Sequence, residues 1–302
     1  MFVYFYQEDR SMKMKRIVAL ALAASLVASF AGCAKVKSIS NDDFNAACEA
    51  QGAEEVDYDD MESDEDAVED GVYCVLDSDD IEEIMSDEYT SYTLEQYDLS
   101  FDWEDVELAS VFMKGSGIED IDDISDPEDL ADVEADLAVG IQITFSEDDK
   151  TEDFFNSIAD AMDEQLDVNI DDLSGSEYYL GKNEGYLKIN ISAEDLAAAF
   201  LESELYEILG DMDEDSLSDV EEVIDSISGN ICVASYMKGE NLVVVIGAGL
   251  NSDTATLDSF CSDLGIASPS KVSANAELAQ AIMDMLDDQL GSMLRMFSSY
   301  EY

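Results

Sequence analysis

The chain has 302 residues and is 47% hydrophobic, so it carries enough apolar side chain for a buried core and is not an acidic disordered tail. Its 74 acidic residues stand against 13 basic ones, a formal net charge of −61 that repels nucleic acid phosphates and anionic lipid headgroups. Histidine is absent, which excludes His-based catalytic triads and His-ligated zinc, copper or haem.

The first eleven residues, MFVYFYQEDRS, fit no element, and translation is expected to start at Met12 or Met14. Lys13, Lys15 and Arg16 then precede an uncharged run from Ile17 to Ala31, closed by Phe30-Ala31-Gly32-Cys33. A cationic segment, an apolar run and small residues before a cysteine resemble the signal peptide of bacterial lipoproteins. That resemblance, over residues 12–33, implies cleavage before Cys33 and a lipid (diacylglycerol, palmitate) on its thiol. It also implies an extracytoplasmic chain anchored to the cell membrane. Two other readings stay open: a secretory signal cut at the small residues, and an uncleaved anchor, since residues 17–34 reach the lower limit for a spanning helix. All three put the bulk of the chain outside the cytoplasm.

Residues 33–40 read as a tether. A helix with Phe44, Ala47 and Cys48 on its apolar face stops at Gly52, and the acid-rich run from Asp57 to Asp70 reads as a solvated loop. Gly71 to Asp77 is a strand, and Ser78 caps a short helix carrying Ile81, Ile84 and Met85. Strands follow at Val106–Lys114 and Leu137–Phe145, with a small helix expected to start at Asp126-Pro127 between them. A helix runs from Thr151 to Leu166, a hairpin from Glu177 to Ile191, and a helix from Ser192 to Leu209. Next come a helix from Ser216 to Ser228 and a hairpin around Lys238–Asn241. A helix from Asp253 to Gly265 precedes a long amphipathic helix from Ala274 carrying Leu278, Ile282, Met285, Leu286, Leu290, Met293 and Phe297. Its methionine-rich stripe suits either a core or a partner-binding surface.

ELASVFMKG (Glu107–Gly115) resembles ICVASYMKG (Ile231–Gly239), and the helix and strand that precede each are similar too. The expected fold is therefore α+β. Two related helix and strand lobes, 41–150 and 151–270, carry antiparallel hairpins and end in a C-terminal helix, 271–302. With Cys33 lipidated, four cysteines remain on the oxidising side, an even number suited to disulfides. Aligning the two copies pairs them as Cys48–Cys74 and Cys232–Cys261.

Asp211, Asp213, Asp215, Asp219 and Glu222 occupy positions 1, 3, 5, 9 and 12 of a calcium loop, between two predicted helices. That pattern resembles an EF-hand loop, with Ser216 in place of the turn glycine, and implies Ca²⁺ as a ligand. The other reading is that Asp215 or Ser216 caps the helix that follows. VVVIGAGLNSDT (Val243–Thr254) has Gly247 and Gly249 but Ser252 at the third glycine position. It reads as a close-packed strand end, not as a dinucleotide turn. No catalytic residue and no cofactor besides Ca²⁺ is nominated. The expected function is a non-catalytic, acidic, lipid-anchored binding or envelope module for a protein, peptide or small solute, without nucleic acid. The rivals are a carboxylate-dependent hydrolase and a Ca²⁺-binding surface protein. Trp103 is the only Trp, which is sparse for a sugar groove.

Carboxylate repulsion is screened over ~8 Å at physiological ionic strength but reaches ~30 Å at 0.01 M. The thermal midpoint is therefore expected to rise with added NaCl, followed by circular dichroism. A midpoint that is flat or falls with salt contradicts this.

Overall fold

A computed structural model describes residues 36–61, 67–86, 102–117, 133–166, 177–203, 206, 224 and 226–285. Helix α1 (Asn41–Ala50) is started by a capping box. The Ser40 hydroxyl accepts from the Asp43 amide, and the Asp43 carboxylate accepts from the Ser40 amide. After it come β1 (Glu54–Glu55), α2 (Tyr58–Met61), α3 (Ala67–Asp70), β2 (Val72–Leu76), α4 (Ser78–Ser86), β3 (Val106–Ser116), β4 (Ala135–Phe145) and α5 (Asp148–Leu166). The second half holds β5 (Glu177–Gly181), β6 (Glu184–Ser192), α6 (Ala193–Leu201), β7 (Gly229–Lys238), β8 (Asn241–Leu250), α7 (Ala255–Leu264) and a helix over 276–285, α8.

Among the described residues eight strands form one sheet in the order β1-β2-β3-β4-β8-β7-β6-β5, and of their pairs only the short β1–β2 pair is parallel. The fold is mixed α and β around one large, mostly antiparallel sheet, as the α+β expectation requires at that coarse level.

Helices cover both faces, which explains why the strands read as nearly unbroken apolar runs instead of alternating ones. Val111, Ile141, Val244 and Leu187 point to one face, where Phe154 and Phe155 of α5, Ile81 and Ile84 of α4, and Leu278 of α8 meet them. The other face carries Tyr73, Phe112, Ala138, Ala234 and Val245 under α1 and α7. There Phe260 stacks on Phe112 (centroids 4.1 Å apart, planes at 20°) and meets Phe44 edge-on at 5.5 Å. Gly140 makes room for that cluster, because a Cβ on it would lie 2.6 Å from the Phe260 ring.

Three local expectations change. The segment read as a tether is docked from Val36 onward, with Val36 and Ile39 in the core under α1 and α7. Within the acid-rich run read as a loop, Tyr58 and Met61 form a short helix and bury their side chains, because two apolar residues three apart make one face of a turn. Helix α4 is capped by Asp77, whose carboxylate accepts from the Asp79 and Asp80 amides, and not by Ser78. The described part of the C-terminal helix packs Leu278, Ala279, Ala281 and Met283 into the core, and residues beyond 285 lie outside the described ones.

Phe260→Ala is expected to lower stability by about 3–5 kcal/mol, because it removes the ring that both Phe44 and Phe112 pack against. Urea unfolding followed by circular dichroism measures this. A loss below about 1 kcal/mol would show that the cluster does not hold α1 and α7 to the sheet.

Candidate functional site

Three polar constellations stand out from this packing. The first lies under the start of α1. Asn41 donates to Ser110 Oγ (2.7 Å) and Gln142 Oε1 (2.9 Å), and Ser110 donates to Asn45 Oδ1 (2.9 Å). Gln142 in turn donates to Thr144 Oγ1 and Asn241 Oδ1. Asn41, Ser110 and Gln142 are buried. The network ties α1 to β3, β4 and β8 through satisfied partners, which is a structural task.

The second is centred on Asp258 of α7. Burial pushes its carboxyl up, but hydrogen bonds from Lys271, Ser268 and Ser270 outweigh that and hold it below the usual carboxylate range. The group pins the segment after α7 back onto that helix.

The third is an open cleft of about 540 Å³ where β6 and β8 end and β7 begins. Ser192 closes β6 and caps α6, accepting from the Asp195 amide at 3.0 Å and donating to Asp195 Oδ2 at 2.6 Å. Asn251 turns the chain out of β8 at a positive φ of 50°. Its Oδ1 accepts from the Ser228 amide (2.9 Å) and its Nδ2 donates to the Val133 carbonyl (2.9 Å). Gly229, at φ 121°, has the Gly249 carbonyl where a Cβ would be, so only glycine fits. Ser228, Asn230, Ser252, Glu194 and Asp253 complete the lining. Both carboxylates are exposed, and the lining contains no basic side chain. The volume suits a small ligand, but the walls are hydroxyls, amides and carboxylates where small-molecule sites are mostly apolar. Beside the cleft, buried Asp136 accepts from the Thr256 amide and hydroxyl, both at 2.8 Å, and so caps α7 from β4. The sequence places Ser192 at the start of a helix but does not show the cleft, because Ser192 and Asn251 are brought together only through strand pairing.

The calcium-loop residues Asp211, Asp213, Asp215, Asp219 and Glu222 lie outside the described residues, as does Cys33. Among the described residues no cluster of three or more Cys, Asp or Glu is arranged to hold a metal ion. No helix among them is long and apolar enough to cross a membrane. Gly247 and Gly249 serve close packing in an antiparallel strand: a Cβ on Gly247 would sit 2.6 Å from Leu257 Cδ2, and one on Gly249 would strike the Ser252 carbonyl.

The expected disulfides are not formed, and Cys48, Cys74, Cys232 and Cys261 are free and buried. For Cys48–Cys74 the reason is the sheet itself. Cys48 packs on the α1 side, while Cys74 points to the opposite face, where its thiol lies 3.3 Å from Met61 Sδ. Cys232 and Cys261 share a face, but Cys232 directs its thiol to Asn190 Oδ1 at 3.4 Å. Burial raises the thiol pKa of Cys74 and Cys261 to about 12 and of Cys232 to about 11, and pushes Cys48 up as well.

No protein-family model, curated protein or solved structure matches the chain.

Since the thiolate is the reactive form, these four thiols are expected to resist alkylation in the folded state at pH 8 and to react fully in denaturant. Mass spectrometry after iodoacetamide reads the result. Rapid modification of Cys48 or Cys232 without unfolding would contradict it.

Proposed function

We propose that the chain is an acidic extracytoplasmic lipoprotein, held to the membrane by lipid on Cys33, that works without catalysis as a binding or envelope-associated module. The anchor rests on the Lys13–Cys33 pattern. The observation that carries the non-catalytic reading is the lining of the cleft. Glu194 and Asp253 both stand in solvent there, whereas a carboxylate pair acting as acid and base needs two unlike environments. The buried thiols, with raised pKa values and no histidine beside them, favour the same reading. The hydroxyl and amide walls suit a polar solute or a peptide backbone.

The strands β2–β4 and β6–β8, in this reading, are two related copies. Setting ELASVFMKG against ICVASYMKG makes Val111 the counterpart of Ser235. One row across the sheet runs Cys74, Val111, Ile141, Val244, Ser235, Leu187. It reads the same from either end once Cys74 matches Leu187 and Ile141 matches its own partner Val244. The likeness extends to α4 and α6, which follow β2 and β6 and pack on the same face. It does not extend to the flanking helices, since α1 and α7 lie on one face and α5 on the other.

The test of the anchor is metabolic labelling with a clickable fatty acid. The wild-type chain is expected to take the label and float with membranes, and Cys33→Ser to lose both. Equal labelling of Cys33→Ser would overturn the lipoprotein assignment.

A further inference from the structure

Lipid on Cys33 would ordinarily leave a domain free to tumble on its tether, but little tether is left here. Val36 and Ile39 are buried, at 5% and 2% exposure, so the chain is fixed to the fold from the third residue after Cys33. Lys238 donates to the Val36 carbonyl at 2.9 Å, and Lys37 donates to the carbonyl of Leu264, the last residue of α7, at 3.0 Å. Three residues of extended chain span about 11 Å at most. The lipidated sulfur must therefore stay close to wherever Val36 is seated.

That seat lies at one end of the sheet. Lys238 closes β7 and pairs with Asn241 and Glu184, the first residues of β8 and β6. The Phe145 amide donates to the Glu240 carbonyl at 2.8 Å, so β4 finishes at the same end. Helix α7 starts beside Asp136 at the far end and runs back toward Lys37. The cleft of Ser192 and Asn251 lies at that far end, since β6 and β8 finish there and Ala135, which opens β4, pairs with Leu250. The two ends are separated by the length of β4, 11 residues or about 35 Å.

We propose that the lipid on Cys33 seats the hairpin end of the sheet, around Lys182–Glu184 and Lys238–Asn241, against the bilayer surface. The Ser192/Asn251 cleft is thereby presented to the outside, one strand length away. This orientation rests on the lipid-anchor reading. It is imposed by chain length and not by attraction, because Asp105, Glu147, Asp148, Asp149, Glu184 and Glu240 outnumber Lys37, Lys150, Lys182 and Lys238 at that end. Salt screens the repulsion from an anionic surface over ~8 Å, within the ~11 Å that three residues can span, so the tether holds this end where the repulsion is already weakened.

Fluorophores on single introduced cysteines test this in the lipidated full chain bound to vesicles whose headgroups carry a quencher. Glu240→Cys marks the hairpin end and Glu134→Cys the far end, and both native side chains are exposed. Quenching is expected to remove most of the emission from position 240 and to leave that from position 134 unchanged. A twenty-residue Gly/Ser insertion between Lys35 and Val36 adds about 25 Å of root-mean-square reach and is expected to abolish the difference. Equal quenching at both positions, or quenching at 240 that survives the insertion, overturns the orientation while leaving the anchor intact. A Cys33→Ser chain that still floats with the vesicles overturns the anchor and the orientation with it.

Discussion

The pairing of β4 with β8 is the interaction on which the rest depends. It joins ten residue positions from Ala135–Leu250 to Thr144–Asn241 and fuses two four-stranded halves into one sheet. Without it each half would bare a long apolar edge, and the aromatic cluster under α1 and α7 would lose its floor. Covering both faces then demands residues that are apolar on both sides of the strand, as in LAVGIQITF and LVVVIGAG. Where two helices press close, it also demands the missing side chains of Gly140 and Gly247.

An acid excess this large leaves few cations, and the described ones have distinct seats. Lys37 donates to the last carbonyl of α7, and Lys114 donates to the carbonyl of Gln51 at the end of α1. Neither helix has a basic residue in its own last turn, so lysines from elsewhere answer the negative end of each dipole. Many acids sit instead where a helix begins, as Asp42 and Asp43, Asp79 and Asp80, and Glu194 and Asp195 do. There the positive end of the dipole offsets part of the charge. Lys150–Asp105 and Lys271–Asp258 tie α5 and the segment after α7 to the body of the fold. The surface charge is thus compatible with a stable fold because it is placed element by element.

The strands and hairpins were legible in the sequence because their signals are local: apolar runs bounded by Gly, Asn and Lys-Gly-Glu-Asn. The start of α6 was legible from Ser192. The disulfides misread because an alignment of copies says which residues are equivalent, not which face each one points to. A one-residue difference in strand position sends Cys74 through the sheet, away from Cys48. The tether misread because VKSISN has only two apolar residues, Val36 and Ile39, with no period to reveal that both are buried in the core with α1 and α7. The cleft was invisible for a related reason, since its lining comes from three separate strand ends.

The sequence by itself determined the exclusion of histidine chemistry, the acid excess and the strands from β2 to β8, the two-residue β1 excepted. Each of these depends on composition or on order over a few residues. Only the tertiary structure decided that the strands form one sheet buried on both faces, and that the cysteines are separate core residues. It alone decided that the chain is clamped from Val36 onward. These properties depend on which side of a strand a residue faces and on what lies across the sheet from it. Both are set by long-range pairing, and no local pattern encodes them.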